Sequence, residues 1–261
     1  MARGVSTVLD VAVCLLLIGA ALATLSAAPP ASTDPGPTAD ETADVVATAT
    51  TGIPVRGVTR HATFAAHLGR AAVSAATLGD RRFLATTYPR SVRNATAEAV
   101  PHRTYVTATW RPFTNASVAG RLAAGREPPA SANVAAATLT VESGIDAPST
   151  GEDPSFESVA DGLATAVLDW LFPPHRTRTA LLDPRTAPAI ADRYRAVGAT
   201  VGVDVRPALR DADIESTNAA LAAALADRLE ADLRAEYDSP AEAADATSPE
   251  TTTVTIRRWR P

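Results

Sequence analysis

From Val5 to Ala28 the chain reads VSTVLDVAVCLLLIGAALATLSAA, 24 residues whose single charge is Asp10. A helix of that length is about 36 Å long and would cross a hydrocarbon core of roughly 30 Å. Arg3 precedes the run, and only acids follow it between Asp34 and Asp44. That bias predicts a cytoplasmic N-terminus and a body outside the membrane. Three fates are open to such a segment: cleavage at the small residues Ser26-Ala27-Ala28, retention as a plain anchor, or trimming near its start with the apolar part kept.

Past Ala28 the pattern turns periodic. Pro29, Pro30, Pro35 and Pro37 stand among Asp and Thr, which predicts a semi-extended linker over 29–44. The Val- and Thr-rich stretch from Asp44 to Val55 predicts a first strand. Phe64, Leu68, Ala71, Ala75 and Leu78 then fall four and three apart, a helical stripe over 60–79. Two runs alternate, with Val106, Ala108 and Trp110 on one face of the first and Ala135, Ala137, Leu139 and Val141 on one face of the second. They are expected to pair antiparallel.

A helix follows from Asp153, the expected cap, with Phe156, Val159, Leu163, Ala166, Val167 and Trp170 inward, until Pro173-Pro174 stops it. The segment LFPPHRTR from Leu171 to Arg178 reads as an exposed turn. A further helix spans about 188–197, with Ile190, Tyr194 and Val197 inward. From Asp213 to Tyr237, Leu221, Leu225, Leu229, Leu233 and Tyr237 recur at every fourth residue, the stripe of a long amphipathic helix. Val254 and Ile256 alternate with Thr253, Thr255 and Arg257 in a last strand, whose arginines suit a charge-protected sheet edge. The order predicts an α+β fold: an N-terminal transmembrane helix, then a mostly antiparallel sheet packed with several helices on one face.

Composition narrows the partners. All 24 basic residues are Arg, Lys and Gln are absent, and the net charge is −5, so nucleic acid is not an expected partner. The lysine-free acidic balance suits high salt. Cys14 is the single cysteine and lies inside the apolar run, which excludes an intramolecular disulfide and a thiolate zinc site. His61 and His67 are six apart, and His102 and His175 lack neighbouring acids or thiols at ligand spacing. No metal and no cofactor are expected. Gly120 to Gly125 lacks the Lys-Ser/Thr ending of a phosphate loop, and there is no G-x-S-x-G elbow. Asp161, Asp169, Asp183, Asp192, Asp211 and Asp213 single out no acid–base pair, so the chain does not read as an enzyme. Asn94-Ala95-Thr96 and Asn115-Ala116-Ser117 are glycosylation sequons suited to an exported chain.

Arg3-Gly4, followed by Val5-Ser6-Thr7-Val8-Leu9 and the apolar run, resembles the class III signal of archaeal type IV pilin-like proteins. The resemblance implies peptidase cleavage after Gly4, Val5 as the mature N-terminus, and a retained stalk that packs with other pilin-like subunits or assembly proteins in the lipid bilayer. Bacterial pilins carry an acid at the fifth mature residue. Asp10 would be the sixth, a candidate for stalk assembly. VSTVLDVAVCLLL, AAATLTVES (135–143), LFPPHRTRTA (171–180), ADRYR (191–195) and AAALADRL (222–229) also resemble an uncharacterised family of halophilic archaeal proteins. The expected division is a leader 1–4, a stalk 5–28, a linker 29–44 and an extracytoplasmic α+β domain 45–261. The expected role is a pilin-like minor subunit or accessory of a surface machine; the alternative is a single-pass receptor or adhesion protein.

Overall fold

A computed structural model describes residues 38–55, 58–84, 86–148, 151, 153–210 and 213–260. The expected leader, stalk helix and most of the linker lie outside these residues. Among the described residues, no helix is long and apolar enough to cross a membrane.

The structure opens with helix α1 (Asp40–Thr48), which buries Thr42, Ala43 and Val46. The linker and first strand expected from sequence therefore meet in a helix: three apolar contacts spaced for helical packing outweigh the strand preference of Val and Thr. Strands β1 (Thr50–Val55) and β2 (Val58–Thr63) form a separate antiparallel hairpin. Helix α2 (Phe64–Ser74) starts where the Thr63 hydroxyl accepts from the Ala66 amide, an N-cap that takes up one of the free N–H groups of the first turn. The expected helix over 60–79 is shortened at both ends.

Two short strands, β3 (Thr77–Leu78) and β4 (Arg81–Arg82), and helix α3 (Tyr88–Ala99) lead to β5 (Thr104–Trp110), β6 (Val118–Gly125) and β7 (Asn133–Glu142). Helices α4 (Phe156–Leu171), α5 (Pro174–Leu182), α6 (Ala187–Val201), α7 (Arg206–Arg210), α8 (Ile214–Glu236) and α9 (Pro240–Ala246) follow, and β8 (Thr251–Arg260) closes the chain. The main sheet has the order β4-β3-β6-β5-β8-β7, antiparallel at every step.

Two expectations are corrected here. The strands β5 and β7 do not pair with each other, because β8 lies between them and pairs along its length with β7 and with most of β5. For the same reason β8 is an interior strand. Alternation told which face of each strand is buried but not which strand lies next to it. Arg258 instead donates to the carbonyl of Thr38, and α1 packs beside β7 at the sheet edge.

On the core face, Gly120 and Leu122 of β6, Trp110, Ala108 and Val106 of β5, Val254 and Ile256 of β8, and Leu139 and Ala137 of β7 stand in register. Helix α2 crosses this face closely. A side chain on Gly120 would overlap the carbonyl of Ala72, and one on Gly69 would overlap the carbonyl of Glu142. The opposite face is largely threonine: Thr109, Thr138, Thr140 and Thr253 are exposed there.

The remaining helices extend the same core. Leu163, Val167 and Leu168 of α4 meet the Leu221, Leu225, Leu229 and Leu233 stripe of α8, all buried. Helix α4 is capped by Ser155 and Ser158 in a reciprocal capping box, so Asp153 is not the cap. Pro173 and Pro174 do end α4, but Pro174 then begins α5 at a position where its missing N–H costs nothing; the segment expected as an exposed turn is a helix. The end of α8 docks on the β5–β6 connection, where Asp232 accepts from the Ser117 amide at 2.8 Å and Phe113 meets Tyr237 edge to face.

Candidate functional site

A concave feature begins where α2 meets α3. His67 is fully buried; its Nδ1 lies 2.9 Å from the Tyr88 hydroxyl and its Nε2 lies 3.3 Å from the Thr51 carbonyl. The carbonyl can only accept, so Nε2 carries the proton and Nδ1 accepts from Tyr88. Burial, with the positive charge of Arg70 and Arg60, pushes the imidazole below its ordinary value of 6.5. Burial raises the Tyr88 phenol, and the same two arginines temper that rise. The pair is therefore neutral and faces a locally positive region.

Beside this pair, the chain leaves β7 in a pinned turn. Ser143 Oγ donates to the carbonyl of Pro249 at 2.7 Å and accepts from the Ile145 amide at 3.0 Å. Gly144 sits between them at φ +86°, a conformation that side chains rarely adopt. The absent Cβ matters for a second reason. Nε of Arg70 and Nε1 of Trp170 each lie 3.2 Å from the position it would take, so two N–H donors close tightly around the glycine. Neither has a hydrogen-bond partner among the described residues.

The far walls are helical. Ser158, Asp161, Thr165 and Asp169 line one side of α4, with Arg176 and Thr177 of α5 and Ile190 and Arg193 of α6 opposite. Partial desolvation pushes the Asp169 carboxyl up. Behind them, Phe172 and Tyr194 stack with centroids 3.8 Å apart, Arg193 lies over the Phe172 ring, and Arg193 also donates to the Leu171 carbonyl. These bonds hold α5 and α6 against α4, and the walls enclose a cleft of about 1260 Å³.

The charges of the cleft are kept apart. Arg178–Glu215, Arg195–Asp192, Arg206–Asp204 and Arg234–Glu230 form ion pairs outside the cleft. Arg60, Arg70 and Arg176 share it with Asp146, Asp161 and Asp169 and pair with none of them. The arrangement can bind groups of either sign at different points. Among the described residues, no group of His, Cys, Asp and Glu is arranged to hold a metal ion.

A family model matches residues 9–259. The chain belongs to DUF7284, a family of unknown function. No curated protein and no solved structure matches it. The match takes in residues 9–28 of the apolar run and nearly all of the α+β unit of this DUF7284 protein.

The residues singled out from sequence fall elsewhere. Gly4, Val5 and Asp10 lie outside the described residues. Asn94 is exposed in the middle of α3, while the Thr96 hydroxyl of its sequon is buried without a partner. Asn115 is exposed at φ 57° in the β5–β6 connection, and its Nδ2 donates to Glu236 at 2.8 Å. The Ser117 hydroxyl of that sequon is also buried without a partner. His61 is on β2 and His67 on α2, so the two do not share a helix. Asp161 and Asp169 do line the cleft. Arg60, Arg70 and Gly144 were not singled out and Trp170 was expected only as part of a buried helix face; the four-residue spacing of Asp161, Thr165 and Asp169 along a helix is a signal that could have pointed to the cleft.

Proposed function

We propose that this protein is a membrane-anchored, pilin-like minor subunit or accessory of a type IV pilus-like surface machine, with residues 5–28 as its stalk and the α+β unit as an extracytoplasmic head. The observation that carries the reading is the extent of the family match, which starts at residue 9, inside the apolar run, and ends at residue 259. A segment discarded on export has little reason to belong to the same pattern as the head. Arg3-Gly4 before the run supports cleavage after Gly4, and the leader is then four residues long. Asp10 would sit in the stalk, where an ionisable group needs a cationic partner such as a neighbour's amine.

The head reads as a binding rather than a catalytic unit. Both ring nitrogens of His67 are engaged by Tyr88 and Thr51, which leaves that imidazole without a free nitrogen to move a proton. The cleft, with three unpaired arginines on its walls, favours a second reading, a single-pass receptor or adhesion protein outside any filament.

Intact mass and N-terminal sequencing of the protein from native membranes, with and without the host's prepilin peptidase, test the first reading. A start at Val5 that depends on the peptidase is expected. A start near Pro29 would sink the filament reading, and an uncut start would favour the plain anchor. Co-purification with filament subunits separates the pilin-like protein from the receptor.

A further inference from the structure

The cleft holds four arginines and three acids, and its ligand can be argued from how they are placed. Elsewhere on the molecule, exposed Arg and acid side chains close into ion pairs, as in Arg206 with both carboxylate oxygens of Asp204. In the cleft, Arg60, Arg70 and Arg176 line the same space as Asp146, Asp161 and Asp169, yet no such pair forms. The backbone holds them apart: Arg60 and Arg70 come from β2 and α2, whereas Asp161 and Asp169 lie along α4. Unpaired charge of both signs across one cavity suits a ligand that carries an acid at one end and donors at the other.

The acid end has a defined place. Arg70 Nε and Trp170 Nε1 flank the same point beside Gly144, close enough for one carboxylate or phosphoryl group to accept from both. Glycine suits the position twice, by its φ of +86° and because a Cβ there would crowd both donors at 3.2 Å. The turn that carries it is pinned by the buried Ser143 hydroxyl, so the position is set before any ligand arrives. Arg60 and Tyr88 line the cleft together with Arg70. The cleft, at about 1260 Å³, exceeds the roughly 300–1,000 Å³ of ordinary small-molecule sites, so a ligand of sugar or amino-acid size enters with water around it.

We propose that the cleft binds a small acidic molecule whose carboxylate or phosphoryl group is held by Arg70 and Trp170 beside Gly144, with Arg60 adding charge, and whose hydroxyl or amine groups face Asp161 and Asp169. The site is independent of how the N-terminal segment is processed, and it serves a filament head or a receptor equally.

Isothermal titration calorimetry on the full chain in mild detergent tests it with three probes of similar body: glucuronate, glucose 6-phosphate and glucose. Saturable binding of at least one acid, with none of glucose, is expected. Glucuronate alone identifies a carboxylate ligand, glucose 6-phosphate alone a phosphoryl ligand, and both acids a general anion site; each supports the proposal. Arg70→Gln is expected to weaken binding at least ten-fold. Trp170→Phe, which keeps the ring and loses the N–H, is expected to weaken it by a smaller factor. Arg126→Gln, an exposed arginine outside the cleft, controls for charge. No binding of either acid, equal binding of glucose, or full affinity in a folded Arg70→Gln protein would overturn the proposal. Circular dichroism confirms folding, and Arg60→Gln, on the exposed hairpin, supplies a second variant if Arg70→Gln does not fold.

Discussion

The Tyr194 hydroxyl donates to Asn218 Oδ1 at 2.7 Å, and Asn218 Nδ2 donates in turn to the Phe172 carbonyl at 3.1 Å. One buried amide thus joins the end of α4, the middle of α6 and the start of α8, and α4 and α6 carry far walls of the cleft. Burial holds the Tyr194 phenol well above its usual value, so it stays a donor at every physiological pH. Tyr194→Phe leaves the amide oxygen without its partner and is expected to cost about 1–3 kcal/mol. Asn218→Ala is expected to cost more, since it strips both a hydroxyl and a carbonyl. The midpoint of chemical denaturation measures both.

Gly120 faces α2 across the sheet, and an added methyl would overlap the Ala72 carbonyl. Because the obstacle is backbone, the helix itself must move away. Gly120→Ala is expected to destabilise by about 1–3 kcal/mol. A methyl on Gly151 meets nothing within 4 Å, so Gly151→Ala is expected to change stability by less than about 0.5 kcal/mol. Equal thermal midpoints for the two variants would contradict the close helix–sheet approach.

The folded pKa of His67 lies below the 6.5 of an exposed imidazole. Between those two values the folded protein binds fewer protons than the unfolded chain, so its stability rises with pH there. The contribution is fully present above pH 6.5 and is lost as pH falls through the folded pKa. Thermal midpoints measured from pH 7.5 down to 5 are expected to fall, and His67→Gln is expected to flatten that part of the curve.

Thr96 is fully buried with its hydroxyl unpartnered. Thr96→Val removes an unsatisfied polar group at nearly constant shape, and a gain of about 1 kcal/mol is expected. The same change destroys the Asn94 sequon. An enzyme that must engage the hydroxyl residue reaches neither Thr96 nor Ser117 in the folded head. Glycans at Asn94 or Asn115 are therefore expected only where transfer precedes folding, which glycopeptide mass spectrometry on native and refolded protein distinguishes.

Long periodic segments were legible from the residues alone. The leucine stripe from Leu221 to Leu233 is the buried face of α8, and Ile190, Tyr194 and Val197 face inward from α6. The alternation in β7 also holds, whereas in β5 Val106, Ala108 and Trp110 are buried as expected but Tyr105 and Thr107 of the other face are buried too. In α8, α6 and β7 the more buried side chains repeat at the period of the element, so local pattern and tertiary packing agree. The failures are as specific. The strand β6 was missed because Gly120, Ala123, Ala124 and Gly125 carry little strand preference; it exists because a glycine is what α2 can approach. Helix α5 was hidden behind two prolines that both stop one helix and start the next.

The residues by themselves determined a mixed α+β chain behind a long apolar segment, with an acidic, lysine-free surface and no disulfide, because these follow from composition and from periods of two and 3.6. Only the tertiary structure decided that β8 inserts between β5 and β7, and that Arg70, Gly144 and Trp170 meet at one point. Those relationships join residues far apart in the chain through backbone positions that no local pattern encodes. The cleft is built from such relationships.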